Sequence, residues 1–253
     1  MLVCGLTALD VVHDPEWRLG RERELAMLRD GSALPDLKAI AAGYMELIRK
    51  RTPHGPYVIG GLSFGGVVAY EVACSLVAQG ESVQLLALFD TVLPSAHRRG
   101  ALGWLDRQRR AFIAGGPRAL LSRGARKLRK VLEAAKEVHA IRHIGSELAI
   151  SAESQRLEAR RQAEFGRVMR EFEPVMRPYD GPIVLYRSLV ADTYRSVVRG
   201  HGFGGFARGG WSECVVSGDH VTMMASGNVE RIALDLVERL ASTQVPAKQA
   251  SNG

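Results

Sequence analysis

Cysteine is scarce. The 253-residue chain has three, Cys4, Cys74 and Cys214, and none forms a CxxC pair. That excludes a disulfide framework and a cysteine-built zinc site, and it suits a reducing, cytoplasmic setting. Long apolar runs are missing too. No stretch nears the ~18 residues of a membrane span. The first residues, Met1-Leu-Val-Cys-Gly-Leu, lack a basic lead and meet Asp10 and Asp14 early, unlike a secretory leader. Disorder has no compositional support, with 46% hydrophobic and 24% charged residues. Acid is nearly absent from one place. Residues 98–131 hold eleven Lys/Arg against the single acid Asp106, a net +10, so the rest of the chain carries −3 of the overall +7. The charge therefore belongs to one segment and not to the whole surface. It lacks the interleaved aromatics of a nucleic-acid surface.

What is present alternates strand-like and helix-like patterns. Leu2–Leu6 is a short apolar run. Leu37, Ile40, Ala41, Tyr44, Leu47 and Ile48 recur at three- and four-residue spacing, which predicts an amphipathic helix from Pro35-Asp36 to about Arg51. Residues 57–62 predict a buried strand, 65–79 a helix closed by Gly80, and 82–89 a second buried strand. Residues 97–175, rich in Arg, Ala, Leu and Glu, predict several helices. Strands return at 182–187 and 211–216 around a loop, 200–210, with six glycines, and 228–240 predicts a last amphipathic helix. This alternation implies an α/β fold with a mostly parallel sheet flanked by helices.

Gly61-Leu-Ser63-Phe-Gly65 fits G-x-S-x-G between a predicted strand and helix. That context is a turn that exposes a serine Oγ above a sheet edge, with glycines where side chains have no room. The Phe64 backbone N–H, at the helix start, is placed to stabilise an oxyanion. A serine nucleophile needs a base and the base an orienting acid. His220 follows the last predicted strand and is the candidate base. Asp90 ends the strand after the serine and is the candidate acid. Asp192, after the next strand, competes with it, and Asp219 adjoins His220, where neighbouring side chains usually diverge. The order Ser63, Asp90, His220 is that of the α/β-hydrolases. His139 and His143 share a helical face but lack the glutamate of a zinc motif, which leaves them a solvated face. His13, His54, His97 and His201 have no supporting pattern.

The motif's surroundings are more specific. Gly55-Pro-Tyr-Val-Ile-Gly-Gly-Leu-Ser-Phe-Gly-Gly-Val-Val-Ala-Tyr-Glu-Val-Ala resembles the thioesterase domains of nonribosomal peptide synthetases and polyketide synthases. Leu86-Ala-Leu-Phe-Asp90 looks like that family's acid motif, Tyr179-Asp-Gly-Pro-Ile-Val-Leu-Tyr-Arg like the strand after its lid, and Trp211 with Gly218-Asp-His220 like its histidine loop. The similarity covers residues 1–96 and 178–241. Acid at Asp90 matches the integrated, chain-terminating type; separate editing thioesterases usually carry it where Asp192 stands.

The resemblance implies an α/β-hydrolase core over 1–96 and 176–243, a helical lid insertion over 97–175 and a flexible tail over 244–253. It implies acyl transfer through Ser63 from a phosphopantetheine arm, with no cofactor of the chain's own. It also implies an acyl or peptidyl carrier protein as partner. Such carriers tend to be acidic, so the basic segment 98–131 is its expected dock. A small-molecule carboxylesterase and a binding-only remnant are the competing expectations.

The resemblance begins one strand late. Residues 1–6 look like the strand beyond the one that normally adjoins the nucleophile strand, and the glycine-rich loop with the second oxyanion donor is not recognisable. A fragment of a longer chain, a shift of residues 1–6 into the gap, or an impaired protein would each account for this. The cost of an open interior edge favours the first.

Overall fold

A computed structural model describes residues 2–4, 26–98, 152–189, 199–220, 222–225 and 227–244. The segments holding Asp192, His139, His143 and most of the basic run 98–131 lie outside the described residues. In chain order the elements are β1 (Leu2–Cys4), α1 (Leu37–Arg51), β2 (Tyr57–Leu62), α2 (Phe64–Ala78), β3 (Val83–Phe89), α3 (Pro94–Arg98), α4 (Ala152–Phe172), β4 (Ile183–Ser188), β5 (Trp211–Val216) and α5 (Asn228–Gln244). The five strands form one sheet in the order β1-β2-β3-β4-β5, every pair parallel.

Parallel strands are covered on both faces, which is why β2 and β3 read as continuous apolar runs. Alternation along β3 divides them between two cores. Leu86 and Leu88 face the side packed by α1 and α2, while Leu85, Ala87 and Phe89 face the side where Ile232 and Leu236 of α5 pack. Helix α1 starts where Asp36 accepts a hydrogen bond from the Ala39 N–H at 2.8 Å. Helix α2 is buried nearly all round, which its uniformly apolar sequence requires.

Two findings refine the expected layout. Leu2–Cys4 pairs directly with β2, Val3 opposite Gly60, so residues 2–4 stand beside the nucleophile strand. Part of the segment expected as an insertion is also core. Phe165, Val168 and Phe172 of α4 are buried in the same cluster as α1 and α2. Among the described residues no helix is long and apolar enough to cross a membrane.

Candidate active site

Parallel strands end together, so residues just past their C-termini share one edge of the sheet. Leu62 is opposite Phe89, which places Ser63 and Asp90 one step further at that edge. The Ser63 N–H donates to the Phe89 carbonyl at 2.8 Å, and the Asp90 N–H to the Tyr186 carbonyl at 2.7 Å. Both carry backbone strain: Ser63 has φ 56° and ψ −122°, and Asp90 has φ 44°. L residues hold such angles only where their surroundings over-determine them. Around Ser63 the cause is close packing. A Cβ on Gly61 would lie 2.1 Å from the Gly65 carbonyl oxygen, and one on Gly66 would lie 1.9 Å from Thr91 Oγ1. Phe64 opens α2, so its N–H has no partner within the helix and stands beside the Ser63 backbone.

The loop after β5 brings His220 to the same edge. Its Nδ1 lies 2.7 Å from Asp90 Oδ2. A carboxylate only accepts, so the neutral ring carries its proton on Nδ1 and keeps the Nε2 lone pair. Asp90 is 4% exposed. Burial alone would push its carboxyl up. Hydrogen bonds from His220 and Ser188, with the nearby His220 charge, outweigh that and hold it below the usual aspartate value. It is therefore an anion at neutral pH. Asp219 turns to Thr222, accepting from its N–H at 2.8 Å.

Two residues in this environment carried no signal in the sequence. Ser188, at the end of β4, is fully buried; its N–H donates to Asp90 Oδ1 at 3.2 Å and its hydroxyl to Oδ2 at 3.1 Å. His201, in the glycine-rich loop, is 3% exposed and donates from Nδ1 to the Thr91 carbonyl at 2.8 Å. Its own carbonyl accepts from Leu93 N–H at 3.0 Å, so it clamps the segment that follows Asp90. The close approach needs Gly202, whose Cβ would stand 2.9 Å from that of Leu93. Alternation patterns mark faces of strands, and these contacts form between loops, where no period exists.

Burial holds the His201 pKa below its ordinary 6.5, with the Thr91 hydrogen bond opposing. The unfolded chain therefore takes up a proton first. Stability from a neutral His201 is full above about pH 6.5 and falls as pH drops toward the folded value. His201→Asn keeps a donor for Thr91 but does not titrate. Its urea midpoint is expected to fall less than the parent's between roughly pH 7.5 and 5; parallel curves would contradict this assignment.

A separate cleft of about 490 Å³ lies on the flank of α1 and α2, lined by Lys38, Met45, Arg49, Glu71, Ser75 and Arg177 among others. Its buried Glu71 is ion-paired with Arg177 at 2.7 Å and accepts from Ser75 at 3.1 Å, so its polar floor is internally satisfied. None of Ser63, Asp90 or His220 lines it.

A strained serine, an anionic carboxylate and a histidine thus stand at one sheet edge. A model of the thioesterase domain matches residues 17–242. The chain belongs to the thioesterase domain family. Over 58 residues, 23% of this chain, it is 48% identical to the non-reducing polyketide synthase terA of Aspergillus terreus and 50% identical to polyketide synthase 1 of Metarhizium brunneum. The chain spans 3% of the length of these curated relatives. Among solved structures it is similar to the NocB thioesterase domain in covalent complex with a fluorophosphonate nocardicin G analog. The TM-score is 0.54 at 22% identity, covering 90% of this chain and 81% of that one. It also matches part of the four-domain nonribosomal peptide synthetase AB3403, with TM-score 0.53, 22% identity and coverage of 85% and 16%. These likenesses support the α/β-hydrolase type of fold for this thioesterase-family chain.

Proposed function

We propose that this thioesterase-family chain releases an acyl, peptidyl or polyketide chain from the phosphopantetheine arm of a carrier protein. The observation that carries the reading is the 2.7 Å Asp90–His220 contact at the sheet edge where Ser63 holds its strained turn. His220 Nε2 takes the Ser63 proton as Oγ attacks the thioester carbonyl. The Phe64 N–H donates to the tetrahedral oxyanion, an effect worth about 3 kcal/mol per donor. The C–S bond then breaks, the proton passes from His220 to the departing thiolate, and the chain is left as an ester on Ser63. Water or a nucleophile within the chain, deprotonated by His220, attacks that ester and regenerates the serine, giving an acid or a ring. Asp90 holds the productive imidazole tautomer and stabilises the imidazolium at both stages.

The carrier is the partner in this reading, and the basic segment 98–131 supplies the charge to attract an acidic one. The three scattered cysteines, with no CxxC pair, support a reducing cytoplasmic setting for this reaction.

A fluorophosphonate probe tests the nucleophile. Labelling of Ser63 in the parent and its loss in Ser63→Ala is the expected result. Absence of labelling would favour a binding-only remnant. Turnover of simple esters without turnover of acyl-carrier thioesters would favour a carboxylesterase.

A further inference from the structure

One cation on the inner face of α4 is unused by the chemistry above. Helix α4 packs alongside α2. Its last residue, Phe172, precedes Arg177, which pairs with Glu71 in the second turn of α2, while Phe165 stacks on Phe64, the first residue of α2. The two rings lie 4.2 Å apart and 1° from parallel. On the flank of α4, Glu164 accepts from the Leu34 N–H at 2.9 Å and Arg167 donates to the Leu34 carbonyl at 2.7 Å, fixing the helix at the level of the α1 start. The turn before Phe165 therefore runs on past the N-terminus of α2, whose first residue, Phe64, follows Ser63.

Arg161 occupies that turn. It is four residues from Phe165 and seven from Val168, so it shares their inward face. Leu157, one turn further on, packs against the same core. The Arg161 side chain is only 12% exposed. Its guanidinium carbon stands over the Phe165 ring, 5.6 Å from the centroid. One terminal nitrogen reaches the half-exposed Glu158 carboxylate at 3.0 Å, and among the described residues the buried Nε–H has no hydrogen-bond partner. An apolar residue would fill an inward helical position at lower cost than a desolvated guanidinium with an unmet donor. Such a planar fork, stacked on an aromatic ring and with donors to spare, is suited to carboxylate or phosphate.

We propose that Arg161, one helical turn from the Phe165 ring that stacks beside the Ser63 turn, is an anion-recognising residue that pairs with an anionic oxygen group of the substrate. Two sources supply that chemistry: a carboxylate carried on the acyl chain, or the phosphate of the pantetheine arm. The inference rests on the thioesterase reading for its substrate class.

The test is binding, read by calorimetry in the Ser63→Ala background so that no probe is consumed. Four probes separate the sources: succinyl- and butyryl-pantetheine, and the same two thioesters of phosphopantetheine. Loss of one charged fork corresponds to roughly tenfold to hundredfold in affinity. If the chain carboxylate is the partner, Arg161→Gln weakens both succinyl probes by that factor and leaves butyryl-pantetheine unchanged. If the arm's phosphate is the partner, it weakens both phosphorylated probes instead. Arg161→Lys, which keeps charge without the fork, falls between. Unchanged binding of butyryl-pantetheine also reports that the variant is folded. Equal affinity of the parent for charged and neutral probes overturns the proposal, as does an Arg161→Gln loss shared equally by butyryl-pantetheine. Hydrolysis by the unsubstituted chain is measured separately. Failure to cleave any of the four removes the thioesterase reading while leaving the binding result to stand or fall by itself.

Discussion

Replacing Asp90 by asparagine is expected to lower kcat for acyl-thioester hydrolysis by about 10⁴ with little change in fold. Asp90 accepts three hydrogen bonds: Ser188 N–H on Oδ1, and Ser188 Oγ–H and His220 Nδ1–H on Oδ2. An amide has one accepting oxygen. The Ser188 N–H cannot move from its strand end, so it claims that oxygen and turns the new NH₂ toward His220. The Ser188 hydroxyl can rotate to accept from the amide. His220 Nδ1 must then accept as well, which puts the ring proton on Nε2. That tautomer cannot take a proton from Ser63. Steady-state kinetics on an acyl-pantetheine thioester read the effect directly. Asp192→Ala, at the competing position, is expected to stay within about threefold of the parent. A tenfold or smaller effect at Asp90 with a large one at Asp192 would move the acid to the later strand.

Gly61→Ala is expected to have the largest effect on the fold. Its Cβ would stand 2.1 Å from the Gly65 carbonyl oxygen, 2.3 Å from the Gly65 carbonyl carbon and 2.6 Å from Gly66 N. These are backbone atoms in the first turn of α2, and no flexible side-chain end can give way. The turn carrying Ser63 has to open. Overpacking of this kind costs about 3 kcal/mol or more. For a chain of this size that lowers Tm by roughly 6–12 °C. Fluorophosphonate labelling of Ser63 is expected to slow in the same variant, because the strained geometry is lost with the contact. Gly43→Ala is the contrast. Gly43 lies inside α1 with nothing within 4 Å of its Cβ position, so the change is expected to raise stability by about 0.5–1 kcal/mol. Thermal melts that place Gly61→Ala within about 1 kcal/mol of the parent would contradict the packing argument.

The two substitutions probe different kinds of legibility. Gly61 and Ser63 were readable because a tight strand-to-helix turn imposes residue types at fixed spacing. Asp90 and His220 were readable because strand ends punctuate the sequence and parallel strands bring their ends together. Helix boundaries fell within a few residues of expectation, since Asp36 caps α1 and the Gln79-Gly80 turn closes α2. Ser188 was hidden by chemistry. A serine at a strand end carries no periodic signal, and its value lies in two donors aimed at one carboxylate. His201 was hidden by its loop, where glycines permit a close approach that only the partner segment defines. The core role of α4 was hidden by composition. Its Arg- and Glu-rich sequence resembles a solvated helix, yet Phe165, Val168 and Phe172 suffice for one buried stripe.

By itself the sequence determined the strand–helix alternation, the strained serine turn, and the identities of the acid and base candidates. Those depend on local sterics and on periods of two and 3.6 residues, which short stretches of chain encode. Only the tertiary structure decided that residues 2–4 stand beside β2, that Ser188 shares the Asp90 carboxylate, and that Arg161 stands over the Phe165 ring, which itself stacks on Phe64. Each of these is a contact between segments far apart in the chain. Its energy depends on distance, desolvation and hydrogen-bond direction, none of which exists until the sheet has brought the segments together.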